Sequence, residues 1–204
     1  MNPLFEASWS RAWPAVSGAD ADPGLREQLL ARYAEPHRAY HTLQHLHECL
    51  ELFDQARALA QRPEEVELAL WFHDAIYDVR ASDNEARSAA WAVSALASAS
   101  TPNDAIMRVE SLIMATRHTA APSDGDETLL VDIDLSILGA DAERFDEYDA
   151  QIRQEYRHVP GLIYRFKRRG ILRSFLERPR IYGTDPLHER FERKARANLQ
   201  RVTA

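Results

Sequence analysis

Apolar residues recur every three or four positions along most of the chain, which is the spacing of one face of an α-helix. Prolines, glycines and capping residues divide this pattern into segments of helical length. The clearest stripe runs through Leu43, Leu46, Leu50 and Phe53, and Pro63 closes that segment. The pattern therefore predicts an all-α fold of roughly eight helices.

The predicted helices follow one another with little irregular chain between them. The first 20 residues are expected to pack on the domain, and Ala120–Asp126 (AAPSDGD) is the clearest loop. Leu129–Leu138 is apolar enough for a buried strand, but we interpret it as a helix because the chain offers no partner strand. The predicted helices cover residues 22–36, 43–62, 64–78, 83–96, 101–114, 129–138, 141–152, 162–176 and 186–202.

Composition and charge narrow the class of protein. The chain has 204 residues and seven glycines, which suits one helical domain. Its 25 basic and 32 acidic residues give a net charge of −7, which does not favour a nucleic-acid polymer or an anionic membrane as partner. Cys49 is the only cysteine, so no internal disulfide can form. Since the chain has neither an apolar run approaching roughly 18 residues nor a signal peptide, we expect a cytoplasmic protein.

Histidines are the most informative residues, and four of the eight lie within residues 36–50. His41 and His45 are four residues apart, so on a helix they share one face and can address a single site. His45 borders the buried side that Leu46 marks, whereas we assign His47 to solvent. A single histidine on a helix is usually capped or solvated, so the spacing carries more weight than any one of these residues.

A His-Asp pair, His73-Asp74, directly follows a run of large apolar residues. Burying both groups without partners would cost several kcal/mol. A divalent cation that takes the imidazole nitrogen and the carboxylate oxygen together would compensate for this cost. A buried hydrogen bond between His73 and Asp74 that holds two helices together would also compensate, and both interpretations stay open.

Two further acids, Asp132 and Asp134, lie inside the apolar stretch Leu129–Gly139. On a helix, residues two positions apart point about 200° apart, so only one of the two can face a given metal. One of the two could be an acid at a helix start or on the surface, but this explanation accounts less easily for the presence of both.

Taken in order along the chain, these residues resemble the ligand pattern of the HD superfamily of metal-dependent phosphohydrolases. That pattern is a His on one helix, an adjacent His-Asp on a later helix and a distant Asp in an apolar stretch. The resemblance implies an HD-domain helical bundle, a single domain with its motif core at residues 37–140 and the helices of 141–204 packed on it. The metal ligands that it implies are His45, His73, Asp74 and Asp134.

Two alternatives to this ligand set stay open. If the alignment shifts by two residues, Asp132 replaces Asp134, and His41 is a further candidate ligand. Mixed imidazole and carboxylate ligation suits Mn²⁺, Fe²⁺ or Zn²⁺ better than a site made only of oxygen ligands, with Mg²⁺ and Co²⁺ as alternatives.

Within the superfamily, the chain is most similar to a family of small bacterial proteins described only as predicted phosphohydrolases. His73–Asp78 also resembles the His-Asp-Thr-x-Glu-Asp motif of guanosine tetraphosphate hydrolases, with Tyr77 in place of the Glu. Neither resemblance defines a substrate. The segments that carry the first one are Tyr40–His45, Trp71–Asp78, Asp83–Glu85, Ala115–His118, Asp132–Gly139, Arg173–Leu176 and Ile181–Thr184.

Other residues are candidates for proton transfer or phosphate binding. Asp78 lies four residues after Asp74, one helical turn away, and is the candidate general base. His118 is a candidate proton donor, phosphate ligand or second-metal ligand. Arg117, and Arg168 in the one dense basic run, are candidates for binding the phosphate of the substrate.

These observations predict a metal-dependent phosphohydrolase. We expect it to act on a phosphate ester, with nucleotides among the candidates, through a metal-activated water. The alternative is a non-catalytic sensor of a metal or nucleotide, with a degenerate HD site. This alternative stays open because Tyr77 replaces the Glu of the related motif. A small phosphorylated molecule is the expected partner in either case.

Overall fold

The computed structural model describes residues 2–119, 122–123 and 125–204, and the fold there is all-α, without a β-strand. Ten helices are found in this part of the chain, where the sequence pattern predicted roughly eight. The main addition is the N-terminal helix, where the Asn2 side chain accepts a hydrogen bond from the Leu4 amide and a proline occupies the first turn. The helices are α1 (Pro3–Ser17), α2 (Pro23–Tyr33), α3 (Leu43–Ala56), α4 (Pro63–Phe72), α5 (Asn84–Ser98), α6 (Asn103–Ala115), α7 (Gly125–Asp134), α8 (Ala142–Glu155), α9 (Gly161–Leu176) and α10 (Asp185–Thr203).

The C-terminal ends of two predicted helices differ in the structure. The predicted helix 64–78 was wrong at its C-terminal end, because α4 stops at Phe72. The stretch 129–138 is helical, as predicted, but α7 gives way at Asp134 to a 3-10 segment, Leu135–Gly139. The predicted loop Ala120–Asp126 lies partly outside the described residues, and its last two residues already belong to α7.

The chain forms two compact units, residues 1–130 and residues 131–204, whose boundary in sequence lies inside α7. The expectation of a single domain with a motif core at 37–140 stays a prediction.

The longest described helix, α10, has 19 residues and is amphipathic rather than apolar. Its buried residues include Leu187, Ala195 and Leu199, and charged side chains occupy much of the rest of its surface. None of the helices within the described residues has the length and apolar character needed to cross a lipid bilayer.

α4 is the central helix of the first unit. Every residue from 65 to 72 is buried, and α1, α3, α5 and α6 pack on it. Trp71 is fully buried with its ring against the edge of Phe5, and its indole N–H donates to Ser8 Oγ at 2.9 Å. Because α4 is enclosed on all sides, the position of its C-terminal end, where His73 follows, is fixed by the core.

A buried acid on α4 ties three elements together. Glu67 accepts hydrogen bonds from Arg11 of α1 at 2.5 Å and from Arg57, just after α3, at 2.7 Å. Two guanidinium groups compensate for the burial of the carboxylate, so α1 and the end of α3 are held against α4 by charge as well as by apolar contact.

In the second unit, the 3-10 segment Leu135–Gly139 lies against α8 and α10. Gly139 is needed there, because a Cβ atom at this position would lie 2.7 Å from the Cβ of Phe191. Asn198 of α10 donates from Nδ2 to the Leu138 carbonyl at 3.0 Å. The close approach of α10 fixes the segment that follows Asp134.

Candidate metal centre

The candidate site lies where the start of α3 meets the end of α4. Thr42 caps α3 by accepting a hydrogen bond from the Gln44 amide, and His45 follows in the first turn with its ring turned into the core. His73 and Asp74 are the first two residues after α4. The side chains of His45 and His73 are 2% and 1% exposed, and that of Asp74 is 16% exposed.

Three side-chain atoms from these residues converge on one point. His45 Nε2 lies 3.0 Å from His73 Nε2, His73 Nε2 lies 3.1 Å from Asp74 Oδ2, and His45 Nε2 lies 3.4 Å from Asp74 Oδ2. Ligand atoms about 2.1 Å from one ion are about 3.0 Å apart at right angles and about 3.4 Å apart in a tetrahedron. The triangle therefore has the size of one face of a metal coordination sphere.

The protonation of His73 supports a cation at the centre of this triangle. Its Nδ1 lies 2.8 Å from the Leu70 carbonyl, which can only accept, so Nδ1 carries the proton and Nε2 of the neutral ring presents a lone pair. A proton on His45 Nε2 can satisfy one of the three close approaches but not all of them. A divalent cation in the middle satisfies all three, so the residues fit a metal.

The electrostatics of Asp74 agree with this. Burial opposes ionisation of its carboxyl group, but in the metal-free site positive charge on His73 and His41 and hydrogen bonds from His45 and His73 outweigh burial, and the pKa of Asp74 lies well below the usual range. The carboxylate is therefore in the anionic form that ligates a metal.

Two more residues border the triangle. Cys49 lies one turn after His45 on α3, with Sγ 3.7 Å from His45 Nδ1 and 3.8 Å from His45 Nε2. One donor atom from each of His45, Cys49 and His73 lies within 4.8 Å of the others. The His41 ring precedes α3 rather than sharing its face with His45, which corrects the helical spacing argument, and it stacks on Tyr77 at 4.1 Å between ring centroids.

The sequence reasoning missed Cys49 as part of the site. The sequence contained one indication of its role, because Cys49 is four residues after His45 and the two share a helix face. A lone cysteine is more often a small buried apolar residue, and its position beside two histidines could be seen only in the folded chain.

Neutral imidazole and carboxylate, with a thiol beside them, form a donor set that Zn²⁺, Fe²⁺ and Mn²⁺ accept, and the thiol favours the softer ions. Comparison of the chain with protein-family models, with curated proteins and with solved structures finds no match.

Arg38, whose side chain is fully buried, holds the turn that carries Asp74. Its guanidinium donates to the Asp74 carbonyl at 2.7 Å, the Ala75 carbonyl at 3.2 Å and the His41 carbonyl at 3.1 Å. Glu35 balances its charge at 3.2 Å. One side chain thus replaces the backbone hydrogen bonds that a continued helix would have made, and this is why α4 can end at Phe72.

Tyr33 and two residues at the start of α5 hold the rest of the turn. The Tyr33 hydroxyl donates to the Trp71 carbonyl at 3.2 Å and accepts from the Asp74 amide at 3.3 Å. Ser88 Oγ accepts from the Ile76 amide at 3.0 Å, and Asn84 bonds both the amide and the carbonyl of residue 78. The backbone between α4 and α5 is therefore fixed from both sides.

Asp78 is exposed, and neither Asp74 nor Asp78 lies on a helix because α4 ends at Phe72, so the argument that placed them one helical turn apart was wrong. Its Oδ1 accepts a hydrogen bond from the Arg80 amide at 2.9 Å. Its role as a general base stays a prediction.

Arg117 and His118 lie just after α6, which ends at Ala115. Arg117 is exposed and His118 is half-buried. His118 has a φ of 54°, a left-handed conformation that residues with side chains adopt rarely and that is often found at functional sites. The catalytic and phosphate-binding roles of the two residues stay predictions.

The remaining candidates lie in the second unit. Asp132 is buried and engaged, since its carboxylate accepts from the Gly183 amide at 2.8 Å, from the Thr184 amide at 2.7 Å and from the Thr184 hydroxyl at 2.6 Å. Arg168 of α9 donates to Asp149 of α8 at 3.2 Å, and its side chain is 14% exposed. Asp134 is half-buried at the last position of α7, and its role as a ligand stays a prediction.

Proposed function

We propose that the chain is a metal-dependent phosphohydrolase that acts on a phosphate ester, with nucleotides among the candidate substrates. The observation that carries the proposal is the convergence of His45 Nε2, His73 Nε2 and Asp74 Oδ2 at 3.0 to 3.4 Å. The resemblance to the HD superfamily supplies the reaction class and the fourth ligand, Asp134.

A divalent cation held by these residues would polarise a phosphoryl oxygen and lower the pKa of water towards neutrality. The buried imidazoles exclude water on their side, whereas Asp74 is the most exposed of the three groups and marks the side from which a substrate would enter. The Leu70 carbonyl keeps the lone pair of His73 Nε2 aimed at the centre. Asp78, exposed on the same turn, is proposed to accept the proton of the attacking water.

A second candidate is a sensor that binds a metal or a nucleotide without turnover. The contacts of two residues that follow Asp74 support this candidate. Tyr77 occupies the place of an acid in the related motif and stacks on His41, while the Asp78 carboxylate is engaged by the Arg80 amide. A site of this kind would keep its ligands and lack a free base.

The first test is elemental analysis of the purified protein and three variants. We expect about one divalent transition metal per chain, lost in His73→Ala and in Asp74→Ala, because removing one of the four proposed ligands opens the site. His47→Ala is the matched control. His47 lies on α3 two residues from His45, and its ring contacts Asn2 and Phe5 rather than the triangle. Equal metal in all four proteins would exclude the site.

The second test is a screen of nucleotides and other phosphate esters with Mn²⁺, Co²⁺ and Mg²⁺. Hydrolysis that disappears in His73→Ala supports the enzyme, and metal binding without hydrolysis of any substrate supports the sensor. If Asp78 is the base, Asp78→Asn keeps its metal and loses roughly 10²-fold in turnover. A metal-loaded Asp78→Asn with the wild-type rate would move this role to another group, with His118 first.

A further inference from the structure

α9 exposes an unusual amount of apolar surface. Among the described residues, six large apolar side chains lie exposed, and four of them are on this one helix. Leu162 is 76% exposed and Phe166 is 82% exposed, and Ile163 and Ile171 are about half exposed. Isolated exposed apolar residues need no explanation, but a group of them on one element marks an interaction surface.

Three of these residues form a stripe opposite the buried side of α9. At 100° per residue, Leu162, Ile163 and Phe166 fall within about 100° of arc. Leu172 and Phe175, the buried residues, lie on the other side of the helix. We call Leu162, Ile163 and Phe166 the α9 stripe. It therefore points away from the unit to which α9 belongs.

The stripe is bordered by positive charge. α9 has five basic residues and no acid, while the rest of the chain has 20 basic and 32 acidic residues. Arg165 and Arg169 lie on one flank of the stripe and Lys167 on the other, all exposed. Long basic side chains on both flanks of an apolar stripe are the arrangement of helices that lie flat on an anionic lipid surface.

We propose that the α9 stripe docks the protein onto an anionic phospholipid surface, with the apolar residues inserted at the headgroup level and the flanking cations on lipid phosphates and carboxylates. The net charge of −7 predicted no such contact, but the charge is unevenly distributed and screening limits its range to about 8 Å at physiological salt. The proposal does not depend on the metal centre.

A second copy of the chain fits this surface less well. A twofold interface centred on the stripe would bring α9 against α9, with the exposed Arg165, Lys167 and Arg169 of each copy close to those of the other. A lipid surface needs no matching shape and supplies the opposite charge.

Co-sedimentation of the full-length protein with vesicles tests the proposal. The vesicles are phosphatidylcholine alone, or phosphatidylcholine mixed with phosphatidylserine, each at physiological and at high salt. We expect binding to the mixed vesicles at physiological salt only. Phe166→Ser should weaken it about ten-fold, and Arg165→Ser and Lys167→Ser about five-fold each. These side chains are exposed, so the variants should fold, and thermal unfolding followed by circular dichroism checks this.

Two control variants remove the same types of exposed side chain, one apolar and one basic, from other helices. Met107→Ser removes an exposed apolar side chain from α6, and Arg87→Ser removes an exposed charge from α5, so both should bind vesicles like the wild type. Failure to sediment with the mixed vesicles, or equal binding by Phe166→Ser and Met107→Ser, would overturn the proposal. A dimer in gel filtration that Phe166→Ser converts to a monomer, without vesicle binding, would overturn it in favour of a second copy.

Discussion

Cys49 is the only sulfur nucleophile in the chain, and it lies within 3.8 Å of both nitrogens of His45. We predict that Co²⁺ added to the metal-free protein gives a thiolate-to-cobalt charge-transfer band in the near ultraviolet. Because there is no other cysteine, any such band belongs to Cys49. Cys49→Ser should abolish the band and weaken metal binding by about 10- to 100-fold.

Cobalt content must be measured in the same samples, since a variant without metal has no band for a trivial reason. His47→Ala, on the same helix, should keep the band. A cobalt-loaded wild type without this absorption would show that Cys49 contacts only His45 and not the ion.

The two acids of α7 should behave differently. Asp134→Ala is predicted to lose the metal, because Asp134 is the proposed fourth ligand. Asp132→Asn should keep it, yet lower the free energy of unfolding by about 1–3 kcal/mol, because its new NH₂ group cannot accept from the Gly183 or Thr184 amide. Metal titration and denaturant unfolding of both variants separate the two roles, and the reverse ranking in the titration would make Asp132 the ligand.

At the scale of elements, the turn after α4 depends on a distant side chain. Arg38 reaches three carbonyls, among them those of Asp74 and Ala75, and a lysine cannot span them from one ammonium group. Arg38→Lys should therefore keep the helix content and weaken metal binding by about 10- to 100-fold. Circular dichroism and metal titration measure the two effects.

The matched control for this prediction is Arg32→Lys. Arg32 lies at the end of α2, is about half exposed and pairs with the same Glu35. It does not reach the turn, so its substitution should leave metal affinity unchanged. Equal affinity in Arg38→Lys and the wild type would show that the other bonds to the turn suffice.

This turn also shows where prediction from the sequence stops. The 3.6-residue pattern found α3 and α4 because it depends on local spacing, and the order of His45, His73 and Asp74 along the chain pointed to three side chains that the structure brings together. It did not find the end of α4, because Phe72 is followed by residues that could continue a helix and the competing partner, Arg38, lies more than 30 positions earlier. The wrong boundary then gave Asp78 a helical relation to Asp74 that it does not have.

At the scale of the whole molecule, metal binding should raise thermal stability. A metal that binds only the folded chain adds about 2.7 kcal/mol at 100 times its dissociation constant, or roughly 5–10 °C for a chain of this size. His73→Ala should show no rise. Differential scanning calorimetry with and without Zn²⁺ or Mn²⁺ measures it, and an equal rise in wild type and His73→Ala would place the metal elsewhere.

Net charge is a whole-molecule quantity, and it misleads when charges are clustered. The total of −7 argued against anionic partners, while α9 alone carries five basic residues and no acid. The sequence shows the basic run, but the same run would be an ordinary solvated surface if the apolar residues beside it were buried. Only the exposure of Leu162 and Phe166 separates the two cases.

All four tryptophans, at positions 9, 13, 71 and 91, lie in the first unit, and the second has none. Intrinsic emission excited at the red edge of the protein absorption band therefore reports on the unit that carries His45, His73 and Asp74, and is silent about the other. Trp71 is two residues before His73, and its carbonyl and ring are held in the same core. A paramagnetic ion such as Co²⁺ should quench this emission as it binds, which gives the protein a built-in optical titration that requires no substrate and no label.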